Sequence, residues 1–257
     1  MDPFIHRNAP SWKELASRLL LLAMIGVFLA LVSGCVSTRA VGKPIQTNER
    51  KDCGWWLARI RMYWPEGEAP RWPMDLLLAH RVVAPILEQH ENVIPLWRFH
   101  RRAARDQWGH QFSFIFYSTS QTAKEVFHAM RTDQTLAELK TAGLVLSDDY
   151  DDTTHIAKPN LQDTSDKHWS PSLQKCWPYF IMGASRMWLA LIDEAARARP
   201  CPPESASPWE LKAYYGGVND TVEAVWQKEG KHAFLHHLNA IFGYEPLLMP
   251  DGNEMAF

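Results

Sequence analysis

The sequence predicts an α+β fold: a ferredoxin-like βαββαβ sheet with two helices on one face, followed by an α-helical C-terminal segment. Three observations predict it. Strand-like and helix-like runs alternate in that order between residues 53 and 150. Aromatic residues alternate with basic ones in the strand-like runs, and the apolar spacing becomes helical beyond Pro171.

The first run, Trp55 to Trp64, has the period of two that a pleated strand imposes. Trp56, Ala58, Ile60, Met62 and Trp64 fall on one face, and Trp55, Leu57, Arg59, Arg61 and Tyr63 on the other. Pro65-Glu66-Gly67 breaks it. Leu76 to His90 has helical spacing after Asp75, a good helix cap, with a kink expected at Pro85. Ile94–Arg105 and His110–Tyr117 read as a hairpin around Asp106-Gln107-Trp108-Gly109. Ser120–Arg131 and Asp133–Ala142 are helical stretches, re-capped at Thr132-Asp133 and ended by Gly143, before the short strand Leu144-Val145-Leu146.

An acidic loop is expected over 151–170. Beyond it a helix from Ser172 to Arg197 carries an apolar stripe of Leu173, Trp177, Phe180, Ile181, Met187, Trp188, Leu191 and Ile192. Pro208–Tyr215 and Val218–Lys228 read as short helices around Gly216-Gly217, and Lys231–Phe242 as another. The chain thus divides into a leader (1–34), a polar tether (35–52), the sheet domain (53–150), the acidic loop (151–170) and a helical part packed on the sheet domain (171–257).

Pairing Arg105 with His110 across the hairpin separates two faces. Trp97, Phe99, Phe112, Phe114 and Phe116 join Trp56, Ile60 and Met62 as the natural core. The opposite face gathers Arg59, Arg61, Tyr63, Arg98, His100, Arg102 and Tyr117. Guanidinium groups form paired, charge-assisted hydrogen bonds, so such a face suits a carboxylate, a phosphate or an acidic protein surface. The competing reading is an internal network in which Asp148, Asp149, Asp151, Asp152, Asp163 and Asp166 fold back onto those arginines.

The start of the chain has its own pattern. Arg7, Lys13 and Arg18 precede an apolar run from Leu19 to Leu31, too short for a stable membrane span, which closes on Val32-Ser33-Gly34-Cys35. That tetrapeptide resembles the bacterial lipobox. The resemblance implies cleavage before Cys35 and lipid attachment at its sulfur. It also implies a mature chain held at the cell envelope, with Val36 in second place favouring the outer membrane, facing the periplasm. No family is recognisable in the mature domain.

Loss of the leader removes Arg7, Lys13 and Arg18 against Asp2 and Glu14, taking the formal net charge from −2 to −3. Neither that balance nor export favours nucleic acid as a partner. In an oxidising compartment the three remaining cysteines suggest one disulfide, Cys53 with Cys176 or Cys201. Cys176 and Cys201 are too far apart to pair if a straight helix separates them. His232 and His236 have a spacing that can share a metal, but no carboxylate or cysteine accompanies them, so neither a metal nor a cofactor is expected. No glycine-rich phosphate loop, Gly-x-Ser-x-Gly elbow or Cys-x-x-Cys pair is present, and no motif places a base to activate Cys176.

The expected function is therefore that of a membrane-held binding protein without catalytic activity, engaging a protein of the envelope; an immunity-type inhibitor of a periplasmic toxin is one concrete form. The alternatives are a receptor or enzyme for a small anionic ligand on the basic face, and a structural subunit of an envelope complex docking through Trp72, Trp108 or Trp209.

Overall fold

A computed structural model describes residues 52–248 and 254–255. The leader, the lipobox at Val32–Cys35 and the tether up to residue 51 lie outside the described residues. Over the described residues the chain is mixed α and β, with one four-stranded antiparallel sheet and a helical C-terminal part.

Strand β1 (Cys53–Met62) pairs on one side with β3 (His110–Thr119) and on the other with β4 (Val145–Tyr150), and β2 (Leu96–Ala103) lies outside β3. The sheet order is thus β2-β3-β1-β4. β1 starts and ends two residues earlier than its alternation suggests, which leaves Tyr63 and Trp64 beyond the sheet. The hairpin register also differs by two residues. Ala103 faces His110, Arg101 faces Phe112 and Phe99 faces Phe114. The turn is longer than four residues because Ala104 donates to Gly109 O, while Asp106 accepts from the N–H groups of Trp108 and Gly109. A slip of two preserves parity, so every side chain keeps its face. β4 runs on through Asp148 and Asp149 to Tyr150, residues that their acidity marks as loop.

Helix α1 is built from Trp72–Leu77, Leu78–Val83 and Ala84–Gln89. Its middle segment is a π-turn, in which Ala84 N–H reaches back to Ala79 O. Pro85 has no N–H to donate and its ring would strike the carbonyl four residues back; the widened turn takes up both defects where a sharp kink was expected. Asp75 does not cap α1. The helix starts three residues earlier, at Trp72 with Pro73 in its first turn, and Asp75 is buried inside that turn. Helices α2 (Ser120–Thr132) and α3 (Gln134–Thr141) are capped by Thr119 and Asp133, each side chain accepting a backbone N–H three residues on, and Gly143 follows in the left-handed conformation that ends α3.

The core is the aromatic face of the sheet, with Trp56, Ile60, Met62, Phe112, Phe114 and Phe116 all but inaccessible. Phe114 stacks on Phe116 at 4.9 Å, and Phe127 of α2 meets Phe116 edge-on at 5.7 Å. Each such ring is worth about 2–3 kcal/mol of burial.

Helix α4 (Pro171–Arg197) lies against β2, and α5 (Pro208–Gly230) packs on α1. β2 is an edge strand, and buried Ser185 of α4 accepts the outward N–H of Phe99 at 3.1 Å, so the helix occupies that edge. Pro178 interrupts the α4 ladder, and the Gln174 carbonyl it leaves without an N–H accepts the Ser165 hydroxyl at 2.7 Å. α5 is one helix across Gly216-Gly217, where a break was expected. A Cβ at Gly217 would overlap the Arg199 guanidinium, so this glycine marks a close approach. α5 continues through a π-turn, Lys231–His236, into a short helix, His237–Ile241.

Of the apolar stripe read along α4, only Ile192 is buried. Trp177, Ile181, Trp188 and Leu191 are half-buried, while Leu173, Phe180 and Met187 are exposed.

Candidate functional site

The basic face of the sheet is divided between a covered half and an open half. The covered half holds Trp55, Arg98 and Tyr117. Residues 156–164 lie over it, fixed by Trp55 N donating to Lys158 O, Trp55 Nε1 to Leu161 O (both 2.9 Å) and Tyr117 Oη to Pro159 O (3.0 Å). Gly54 admits this segment, since a Cβ there would overlap Ile156. Tyr117, 4% exposed, is therefore a structural residue. Arg98 donates to Thr164 O at 3.3 Å, and its Nε and the Thr164 hydroxyl are both buried with no hydrogen-bond partner. Burial pushes the Arg98 pKa down.

The open half is a depression of about 310 Å³ lined by Leu57, Arg59, His100, Arg102, Trp108, Gln111, Ser113 and Ile115. β1, β2 and β3 supply its floor, because Arg59 is level with Ser113, and Ser113 with His100. Arg59 meets Asp149 of β4 at 3.4 Å, a loose and solvent-exposed pair. Arg102 is held by both carboxylate oxygens of Asp106 and donates to Gly109 O at 3.2 Å. The Arg102 hydrogen bond, with help from the Trp108 and Gly109 N–H groups, draws the Asp106 pKa to about 2. His100 is held below its ordinary pKa, first by desolvation among its neighbours and then by the charges of Arg98 and Arg102. Trp108, half exposed, stands at the rim.

Arg61 and Tyr63 belong to a second depression, of about 410 Å³, at the end of the sheet. It also includes Trp64, Glu66, Arg105 and Leu146. The expected cluster is thus split three ways: Arg59, His100 and Arg102 together, Arg98 and Tyr117 under the covering segment, and Arg61 with Tyr63 round the end.

Most of the acids do not fold back. Only Asp149 pairs with a site arginine. Asp148 pairs with Lys140, Asp151 accepts the Leu57 N–H, Asp152 caps Thr154, Asp163 accepts the Asn160 N–H, and Asp166 accepts the His168 N–H.

Sequence reasoning missed a buried node on the other face. Arg101, at a core-facing position, donates from Nε to Asp75 Oδ2 at 2.7 Å, while its guanidinium lies 4.8 Å from the ring centroids of both Trp72 and Trp188. Buried His110 places Nε2 3.1 Å from Asp75 Oδ1, out of hydrogen-bond alignment, with Trp72 edge-on at 4.9 Å. Trp72 is therefore half-buried packing, whereas Trp108 and Trp209 are exposed. The signal was present: an arginine in phase with Phe99 needs an acid inside the core.

The expected disulfide is not formed. Cys53 is buried beside Trp55, Leu96 and Tyr117, while Cys176 lies on the solvent side of α4 and Cys201 beyond its end, both exposed free thiols. The rings of His232, His236 and His237 sit 5.2–5.4 Å apart, yet among the described residues no group of three metal-ligating side chains is placed to hold an ion. Among them, too, no helix is long and apolar enough to cross a membrane.

No family model, no curated protein and no solved structure matches the chain.

Proposed function

We propose that this is a lipid-anchored protein of a bacterial envelope, held at Cys35 and facing the periplasm, which acts without catalysis by binding another protein through the open half of its basic sheet face. The observation that carries the reading is the form of that half. The depression is shallow, two of its walls are arginines whose acidic partners, Asp149 and Asp106, are exposed, and an exposed tryptophan stands at its rim. An acidic side chain on a protruding segment can displace Asp149 or Asp106 from its arginine while the rest of the partner packs on Trp108. An immunity-type inhibitor is one form such a protein takes. The sheet belongs, in this reading, to the ferredoxin-like arrangement, which the order β2-β3-β1-β4 supports by setting the first strand between the third and fourth.

A small anionic ligand is the second reading. The depression, about 310 Å³, stands at the lower limit of ligand pockets and has the buried polar groups of Gln111 and Ser113 on its floor.

The test is capture of partners from gently solubilised envelopes with the wild-type chain and with Arg59→Glu plus Arg102→Glu. Arg98 is left intact because it is structural. Loss of one protein from the variant, with an unchanged circular dichroism spectrum, is the expected result. Equal recovery by both chains refutes the assigned surface.

A further inference from the structure

The solvent side of α4 is the least explained surface of the molecule. Leu173, Cys176, Phe180, Gly183, Met187 and Ala190 follow one another at spacings of three and four residues and all are exposed, with Leu173 at 45%, Phe180 at 48% and Met187 at 37%. That spacing is the a and d pattern of a helix that pairs with another helix, here turned away from the protein's own core. The row covers 17 residue steps, about 26 Å of helix.

Side-chain size along this row identifies the occupant. We infer that α4 pairs with the α4 of a second copy, antiparallel about a two-fold axis between Ile181 and Met182. This arrangement sets Leu173 opposite Ala190, Cys176 opposite Met187 and Phe180 opposite Gly183 of the other copy. Every layer then joins a larger side chain to a smaller one, the condition for filling the space between two helices. A parallel pairing stacks Phe180 on Phe180 and Gly183 on Gly183, which gives a clash in one layer and a void in the next. Gly183 has open space where a Cβ would stand, so among the described residues nothing obstructs the approach.

The flanking residues agree with this orientation. From Pro171 to Ile192 the helix has Lys175 and Arg186 and no acid. In the antiparallel pair Arg186 lies within a turn of Tyr179 of the other copy, 39% exposed in one chain alone, and covers its ring as a cation–π contact. An isologous contact of this kind closes on itself and yields a dimer without filaments. Three distinct layers, each used twice, make a small interface, of the size that associates reversibly. The surface is separate from the basic sheet face and stands whether or not that face binds a partner.

The native Cys176 gives a direct test. In the full-length chain carrying Cys201→Ser, with Cys35 also replaced by serine in every variant, the two Cys176 thiols of the dimer are separated by 11 residue steps, about 16 Å along the axis, beyond the reach of a disulfide. Adding Met187→Cys puts a thiol in the same layer as Cys176 of the other copy. Mild oxidation is expected to convert the Met187→Cys, Cys201→Ser chain to a covalent dimer on a non-reducing gel and to leave the Cys201→Ser chain monomeric. Phe180→Glu added to the former is expected to abolish the cross-link while circular dichroism and the melting temperature stay unchanged. Equal cross-linking of both chains overturns the antiparallel register. Absence of cross-linking, or sedimentation of the wild-type chain as a monomer throughout the micromolar range, overturns the dimer, as does recovery of a monomer with a different protein on this face.

Discussion

Replacing Asp75 by alanine tests whether the buried node holds the fold together. The carboxylate is inaccessible, and it accepts Arg101 Nε at 2.7 Å and stands 3.1 Å from His110 Nε2. Breaking a buried ion pair by removing one partner costs about 3–5 kcal/mol, because the remaining charge is left uncompensated. Arg101 retains 30% of its side-chain exposure and its place between Trp72 and Trp188, so the cost belongs near the lower figure, about 3 kcal/mol. For a chain of this size that corresponds to a fall in melting temperature of roughly 6–12 °C. Urea unfolding of the full-length chain, followed by tryptophan fluorescence and circular dichroism, gives the value directly. Asp75→Leu combined with Arg101→Met is expected to recover most of the loss, since replacing both partners by apolar groups removes the stranded charge. A change below about 1 kcal/mol for Asp75→Ala, or a double variant worse than the single one, refutes the assignment of the node as structural.

Three further outcomes follow from local geometry. Asp106, whose folded pKa lies near 2 against an ordinary value of 3.8, keeps its turn intact above about pH 4 and loses that contribution as pH falls through 2. The amide shifts of Trp108 and Gly109 are therefore expected to titrate with a midpoint near 2, and a midpoint near 4 contradicts the Arg102 contact. Gly217→Ala is expected to stabilise the chain by about 0.5–1 kcal/mol in thermal unfolding, because the nearest atoms in the way belong to the far end of Arg199 and alanine is the better helix former; a destabilised variant shows that Arg199 cannot move. Gly54→Ala is expected to lower stability by about 1–3 kcal/mol and to speed proteolysis within residues 156–164, since the added Cβ overlaps Ile156 and presses on the Lys158 backbone; unchanged proteolysis contradicts the tight seating of that segment.

Much of the sheet was legible because period-two alternation of large aromatics with arginines survives errors in position. The hairpin register was misplaced by two residues and β1 by two at each end, yet Phe112, Phe114 and Phe116 remained inside and Arg59, His100 and Arg102 outside. What the sequence hid was cover. Nothing in the composition of residues 156–164 announces that they lie over Arg98 and Tyr117, because their contacts are made chiefly through backbone carbonyls that any sequence supplies. The apolar stripe of α4 is a related case. Periodicity reports an apolar face and is silent about what buries it, and here Leu173, Phe180 and Met187 of that stripe are exposed. Asp75 shows the opposite failure: its preference for helix caps concealed a role that only the misfit of Arg101 could have disclosed.

The bond from Ser165 to the Gln174 carbonyl gives the molecule a mechanical linkage. The covering segment is fastened on one side to the basic sheet face, through Trp55, Arg98 and Tyr117. On the other it is fastened to the single break in the α4 ladder, where Pro178 leaves an acceptor open. The segment thus joins the sheet face to the proline-interrupted turn of a 27-residue helix whose far side is the apolar row. Ser165 Oγ on the Gln174 carbonyl, together with the Gln174 amide on the carbonyls of Lys167 and Trp169, therefore gives the basic face and the apolar row of α4 one shared support.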